Sequence, residues 1–133
     1  MAKKRILIVE DDLSVLKMTT IRLQHEGYEV LTAMDGESAL TTVEQDPQIH
    51  LILLDVKLPK MDGYEVCRTV KRRSETTHIP VIIFSASESQ LGRLADRCIE
   101  AGAVDCIRKP FQTRDLLGKI HRALGEEGQV NGG

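Results

Sequence analysis

The chain has 133 residues and a mass of 14.8 kDa, enough for one domain with a sizeable core and too little for two ordinary ones. A formal charge of -2 and a pI near 6.1 lack the basic excess that a nucleic-acid surface needs, so direct nucleic-acid binding is not expected. No apolar run approaches the roughly 20 residues that cross a bilayer, so no membrane association is expected either.

From the amino terminus, "MAKKR" leads straight into the apolar run "RILIVE" rather than into a signal-peptide core, which predicts a cytoplasmic protein. That run is the first predicted strand, and Gly27 closes the helix after it. "YEVLTA" is the second strand; behind it Ala39, Leu40 and Val43 recur at helical spacing, with Pro47 shortly beyond. The third strand, "LILLD", is four apolar residues delivered into Asp55. In the helix that follows, Arg68, Lys71, Arg72 and Arg73 read as a solvated face. "PVIIFSA" is the fourth strand, and Leu91, Leu94, Ala95, Cys98 and Ile99 mark the fourth helix, which Gly102 closes. "DCIRK" is the fifth strand, and Leu116, Leu117, Ile120 and Leu124 share one face of the last helix. Residues 1–125 are taken as the domain, and 126–133, within the polar, glycine-rich "GEEGQVNGG", as a disordered tail.

Strict alternation of five strands and five helices predicts an α/β fold, a doubly wound parallel sheet covered on both faces. The three cysteines match no zinc spacing and read as reduced thiols, with Cys67 and Cys98 packing as small core hydrophobes. His25, His50, His78 and His121 are scattered and read as surface residues.

In such a sheet, sites form outside the carboxyl ends of the strands. Those ends carry Glu10, Asp11 and Asp12 after the first strand, Asp55 on the third, Ser85 and Ala86 on the fourth, and Lys109 and Pro110 on the fifth. Each has an ordinary explanation: Asp11 or Asp12 as a helix cap, Asp55 as a turn former, Ser85 as a partner for backbone groups. Their convergence on one rim is what points to a site. Two unit charges about 4 Å apart repel by roughly 4 kcal/mol at an effective dielectric near 20, so clustered carboxylates call for a cation. Lys109 supplies one charge, and an all-oxygen donor set favours magnesium over zinc for the rest.

"ILIVEDD", "LILLDVKLPKMDGYE", "PVIIFSA" and "RKPF", in this order and at these separations, closely resemble the receiver domain of two-component response regulators over roughly residues 4 to 125. The resemblance implies the flavodoxin-like strand order 2-1-3-4-5. It implies Asp55 as phosphoryl acceptor, Asp11 as direct magnesium ligand, Glu10 as an acid acting through water, and the Lys57 backbone carbonyl as a further ligand. Family members often carry Asp where this chain has Glu10. The same resemblance makes Ser85 the switch hydroxyl, Lys109 the amine that pairs with the phosphoryl group, and Pro110 the residue after a cis bond. Lys57 and Ser87 would flank the phosphoryl group, and Gly63 would permit a tight entry into the third helix. Cys106 stands where receivers commonly carry a Tyr or Phe that turns inward.

Implied partners are a sensor histidine kinase or a histidine phosphotransfer protein, with a homodimer or effector on the face of helix four, strand five and helix five. The expected role is a signalling switch rather than an enzyme. A haloacid-dehalogenase-type phosphatase would want a second Asp where Lys57 stands. A flavin or nucleotide binder of this topology would want a phosphate loop where the first strand ends in acids. A stand-alone receiver or phosphorelay intermediate, and a receiver belonging to a regulator with a DNA-binding or enzymatic output domain, both remain open.

Overall fold

The computed structural model describes residues 3–86 and 91–126. In chain order the elements are β1 (Arg5–Val9), α1 (Leu13–His25), β2 (Glu29–Ala33), α2 (Gly36–Gln45), β3 (Leu51–Asp55), α3 (Gly63–Arg72), β4 (Val81–Ser85), α4 (Leu91–Ala101), β5 (Asp105–Arg108) and α5 (Thr113–Leu124). The five strands form one parallel sheet in the order β2-β1-β3-β4-β5. The predicted doubly wound architecture and the order implied by the resemblance are both present.

The uninterrupted apolar strands follow from a sheet covered on both sides. Successive side chains point to opposite faces, so each central strand feeds two cores. Leu7, Val9, Ile52, Leu54, Val81 and Ile83 meet residues of α2, α3 and α4, among them Val43, Cys67, Val70, Leu94 and Cys98. Ile6, Ile8, Leu51, Leu53, Ile82 and Phe84 meet α1 and α5 through Leu16, Leu23, Leu116 and Ile120. Each such Leu or Ile, fully buried, contributes about 1.5–3 kcal/mol. Every residue of β3 and β4 is buried, whereas β2 and β5 at the edges are partly exposed.

Local signals end the helices where expected. Gly27 and Gly102 both adopt φ +93°, a left-handed conformation that stops a helix and that side chains with a Cβ rarely tolerate. Asp12, Asp35 and Asp62 cap α1, α2 and α3 by accepting backbone N–H groups. One expectation fails: Ile99, placed on the apolar stripe of α4, is 74% exposed. Leu94, Cys98 and Ala101 fill the sheet-facing stripe, and Ile99, about 100° around the helix from Cys98, turns away from it. The basic cluster is only partly a solvated face. Arg68 pairs with Glu65 at 3.2 Å, Arg73 pairs with Glu44, and Lys71 donates to the carbonyls of Thr77 and Ile79.

His25, His50 and His78 are exposed; His121 is half-buried against Tyr28 and Glu126. Among the described residues no helix is long and apolar enough to cross a membrane. The predicted disorder of the tail concerns residues that, beyond Glu126, lie outside the described ones, as does Ser87.

Candidate functional site

Parallel strands with crossover helices put every carboxyl end on one edge, and there the polar residues gather. β1 carries the chain to Glu10, whose N–H donates to the Ala33 carbonyl of neighbouring β2 at 3.0 Å. This continues the ladder one residue past the strand and holds the Glu10 side chain inside, 1% exposed. One carboxylate oxygen accepts the Asp12 N–H at 3.0 Å; the other accepts from the Lys109 ammonium. Asp11 is exposed at the rim. Asp12 is the cap of α1, accepting from Ser14 and Val15 at 2.9 and 3.2 Å. The choice between Asp11 and Asp12 is thereby made: Asp12 serves the helix, and Asp11 is left to the cleft.

Asp55 closes β3 and is 5% exposed. Its Oδ1 accepts the Val56 N–H at 2.8 Å, and its Oδ2 lies 3.4 Å from the Lys109 Nζ. Lys109 therefore bridges two buried carboxylates, its ammonium also lying 4.6 Å from the centroid of the Phe84 ring. Oxygens of Glu10, Asp11 and Asp55 all come within 4.8 Å of one another. The cleft is lined by these three with Asp12, Lys57, Ala86 and Lys109. Burial pushes the Asp55 carboxyl up to about 6; the Glu10 charge adds to the effect and Lys109 opposes it.

Ser85 ends β4, 1% exposed, one position beyond Phe84, the register partner of Asp55. Its carbonyl accepts the Lys109 N–H at 2.9 Å, which ties the two rim residues together through the backbone. The Lys109–Pro110 bond is cis, as the resemblance implied. Gly63 is required by close approach. Its N–H donates to the Val56 carbonyl at 2.8 Å, and a Cβ there would lie 2.1 Å from the Asp55 carbonyl oxygen. Only a residue without a side chain lets α3 start directly beneath the strand end.

Three features were not anticipated from the sequence. Glu10 is the nearer partner of Lys109, ahead of Asp55. Lys60, in the loop between β3 and α3, adopts φ +72°, a strained conformation for a non-glycine residue. Arg97 of α4 stacks 4.2 Å from the centroid of the Tyr64 ring, closing one side of the groove that continues from Asp11 and Lys57. An aromatic beside the cleft thus contacts α4, although Cys106 removes the usual ring from β5.

The strand-end candidates Glu10, Asp11, Asp55, Ser85 and Lys109 come to one rim, together with Lys57. Among the described residues the only tight group of potential metal ligands is the carboxylate trio, with no His or Cys in it. Such a donor set suits a hard divalent cation.

The family model described as response regulator receiver domain matches residues 6–121. A probable transcriptional regulator, ycf27, of Cyanophora paradoxa is 42% identical over 124 residues, covering 92% of this chain and 48% of that protein. The chain thus spans about half the length of the curated relatives it matches. Among solved structures, a putative response regulator from Chloroflexus aurantiacus is similar at TM-score 0.87 and 31% identity, covering 93% of this chain and 99% of that one. The receiver domain of the sensor histidine kinase PA1611 from Pseudomonas aeruginosa, which holds magnesium in its active-site cleft, is similar at TM-score 0.84 and 31% identity, with the same coverage.

Proposed function

We propose that this chain, which belongs to the response regulator receiver domain family, takes a phosphoryl group onto the carboxylate of Asp55 from a phosphohistidine of a sensor histidine kinase or histidine phosphotransfer protein. The observation that carries this reading is the placement of Asp55: buried at a strand end, 3.4 Å from the Lys109 ammonium and within a carboxylate trio. In the transfer an Asp55 oxygen attacks phosphorus, the O–P bond forms, the donor P–N bond breaks, and the imidazole leaves. Lys109, now paired with Glu10 and Asp55, is positioned to accept the new anion. Its charge offsets that on the phosphoryl oxygens without having to be drawn in from solvent. Ser85 is the hydroxyl proposed to contact the phosphoryl group, and Lys57 its flanking cation.

Magnesium is the cofactor that the donor set fits. Asp11, Asp55 and the Lys57 backbone carbonyl would hold it, with Glu10 acting through water. When bound, it neutralises the crowded carboxylates and spreads the charge of the transferring group. The readout surface is α4, β5 and α5; Ile99 on α4 is 74% exposed, and Val104, in the connection just before β5, is 57% exposed. That face is suited to a second copy or an effector rather than to direct contact with nucleic acid. The domain acts as a switch and turns over no metabolite. A regulatory output elsewhere in a longer protein fits the length of the relatives; a stand-alone receiver or relay intermediate is the alternative.

Incubation with acetyl phosphate should add the mass of one phosphoryl group when magnesium is present and none when the metal is chelated beforehand. Labelling indifferent to the metal would contradict the reading. Because Asp12 rather than Asp11 caps α1, and Asp11 is one of three crowded carboxylates, Asp11→Ala should leave the metal-free chain as stable or more stable while weakening magnesium binding. A loss of several kcal/mol without metal would instead show that Asp11 serves the fold.

A further inference from the structure

The three cysteines lie on three elements, Cys67 on α3, Cys98 on α4 and Cys106 on β5, yet converge in one region of the core. Cys106 is the register partner of Ile83, so its side chain points to the sheet face that α4 covers, where it packs against the cluster containing Cys98. The two thiols lie near enough for each to act on the other's charge. Cys67 is committed elsewhere, its thiol donating to the Ala101 carbonyl at 3.3 Å. Exposure divides the pair: Cys98 is buried, Cys106 is partly exposed. Burial, and then the neighbouring Cys106, push the Cys98 thiol up to about 12. Attack on an oxidant needs both thiolate character and access, so the reagent reaches Cys106 first and Cys98 is placed to resolve it.

We infer that Cys98 and Cys106 form an oxidation-sensitive dithiol, which a hydroperoxide converts into an intramolecular disulfide between α4 and β5. The Cys106 sulfur attacks a peroxide oxygen, the O–O bond breaks, and the leaving oxygen departs with the thiol proton, leaving a sulfenic acid. The Cys98 sulfur then attacks that sulfenic sulfur; the S–S bond forms, the S–O bond breaks, and hydroxide leaves with the Cys98 proton as water. Two thiols lose two electrons and two protons in all, and hydrogen peroxide is reduced to two waters. A disulfide is about 2.05 Å long, much shorter than a contact between thiols, so closure draws α4 onto β5. In a reducing compartment the bond would be transient, the pattern of a redox-sensing pair rather than a structural one. Neither cysteine lines the cleft at Asp55, so the link forms without entering the phosphoryl site.

The test is to treat the full chain with hydrogen peroxide, denature it, count free thiols and map peptides without reduction. The expected result is a fall from three thiols to one, a mass loss of two hydrogens, a peptide joining Cys98 to Cys106, and reversal by dithiothreitol. Cys67→Ala should form the same link, and Cys98→Ala and Cys106→Ser should not. Persistence of all three thiols, a link that includes Cys67, or oxygen adducts with no link would overturn the inference. Mapping the wild type locates the bond directly, so the outcome does not depend on how the variants fold.

Discussion

Asp55→Asn is expected to stabilise the metal-free chain by about 3 kcal/mol at pH 8, and by almost nothing near pH 4. The carboxyl titrates near 3.8 when unfolded, but burial and the charge of Glu10 push it up to about 6 in the fold, against the pull of Lys109. Between these values the folded chain binds more protons than the unfolded one, so stability falls as pH rises. The loss is complete once pH passes about 6, where the folded carboxylate is ionised. Asn keeps the shape and removes the charge, so the gain should grow across that same window. Urea denaturation in EDTA from pH 4 to pH 8 measures it. An equal effect at both ends, or a destabilised variant at pH 8, would contradict the electrostatic origin. Added magnesium should close the gap by stabilising the wild type more than the variant.

Removing Lys109 should do the opposite. Its ammonium holds Glu10, 1% exposed, and Asp55, 5% exposed. Lys109→Met retains much of the apolar stem and leaves two buried carboxylates without their cation. Breaking a buried pair from one side typically costs about 3–5 kcal/mol, and that is the expected loss at neutral pH without metal. The loss should shrink as pH falls toward about 6, because Asp55, freed of the downward pull of Lys109, takes up a proton at a higher pH in the variant than in the wild type. Magnesium should restore more stability to this variant than to the wild type, because it enters a cleft with one competing cation fewer. A cost under about 1 kcal/mol at neutral pH would mean that the pair is screened by water and that the carboxylates tolerate each other unaided.

The rim was legible because alternation of strand and helix fixes a parallel sheet, and a parallel sheet puts all carboxyl ends on one edge. Glu10, Asp55, Ser85 and Lys109 could therefore be grouped by their places in the chain alone. The order of the strands could not be read from alternation; it rested on the resemblance. What escaped the sequence depends on rotations and tertiary contacts. Asp11 and Asp12 are adjacent and chemically identical, so position alone did not separate them; the resemblance pointed to Asp11 as the ligand, and the turn into α1 shows why, since Asp12 caps the helix. Ile99 fits the apolar spacing of α4 within a residue, yet one residue is about 100° of helix, enough to move it from core to solvent. The positive φ of Lys60 leaves no compositional trace, since Gly, Asn or Asp would be the usual flag. The approach of Cys106 to the cluster that holds Cys98 brings a helix and the following strand together, and no spacing rule announces it.

The measurement that bears most directly on the role of Asp55 is reductive trapping of the phosphorylated chain. After labelling with acetyl phosphate and magnesium, borohydride converts an aspartyl phosphate to homoserine, and peptide sequencing finds the residue changed. Homoserine at position 55 alone is the expected result. Homoserine at position 11 or 12, or a phosphoryl group that survives borohydride on Ser85 or a histidine, would contradict the assignment of Asp55 as the acceptor.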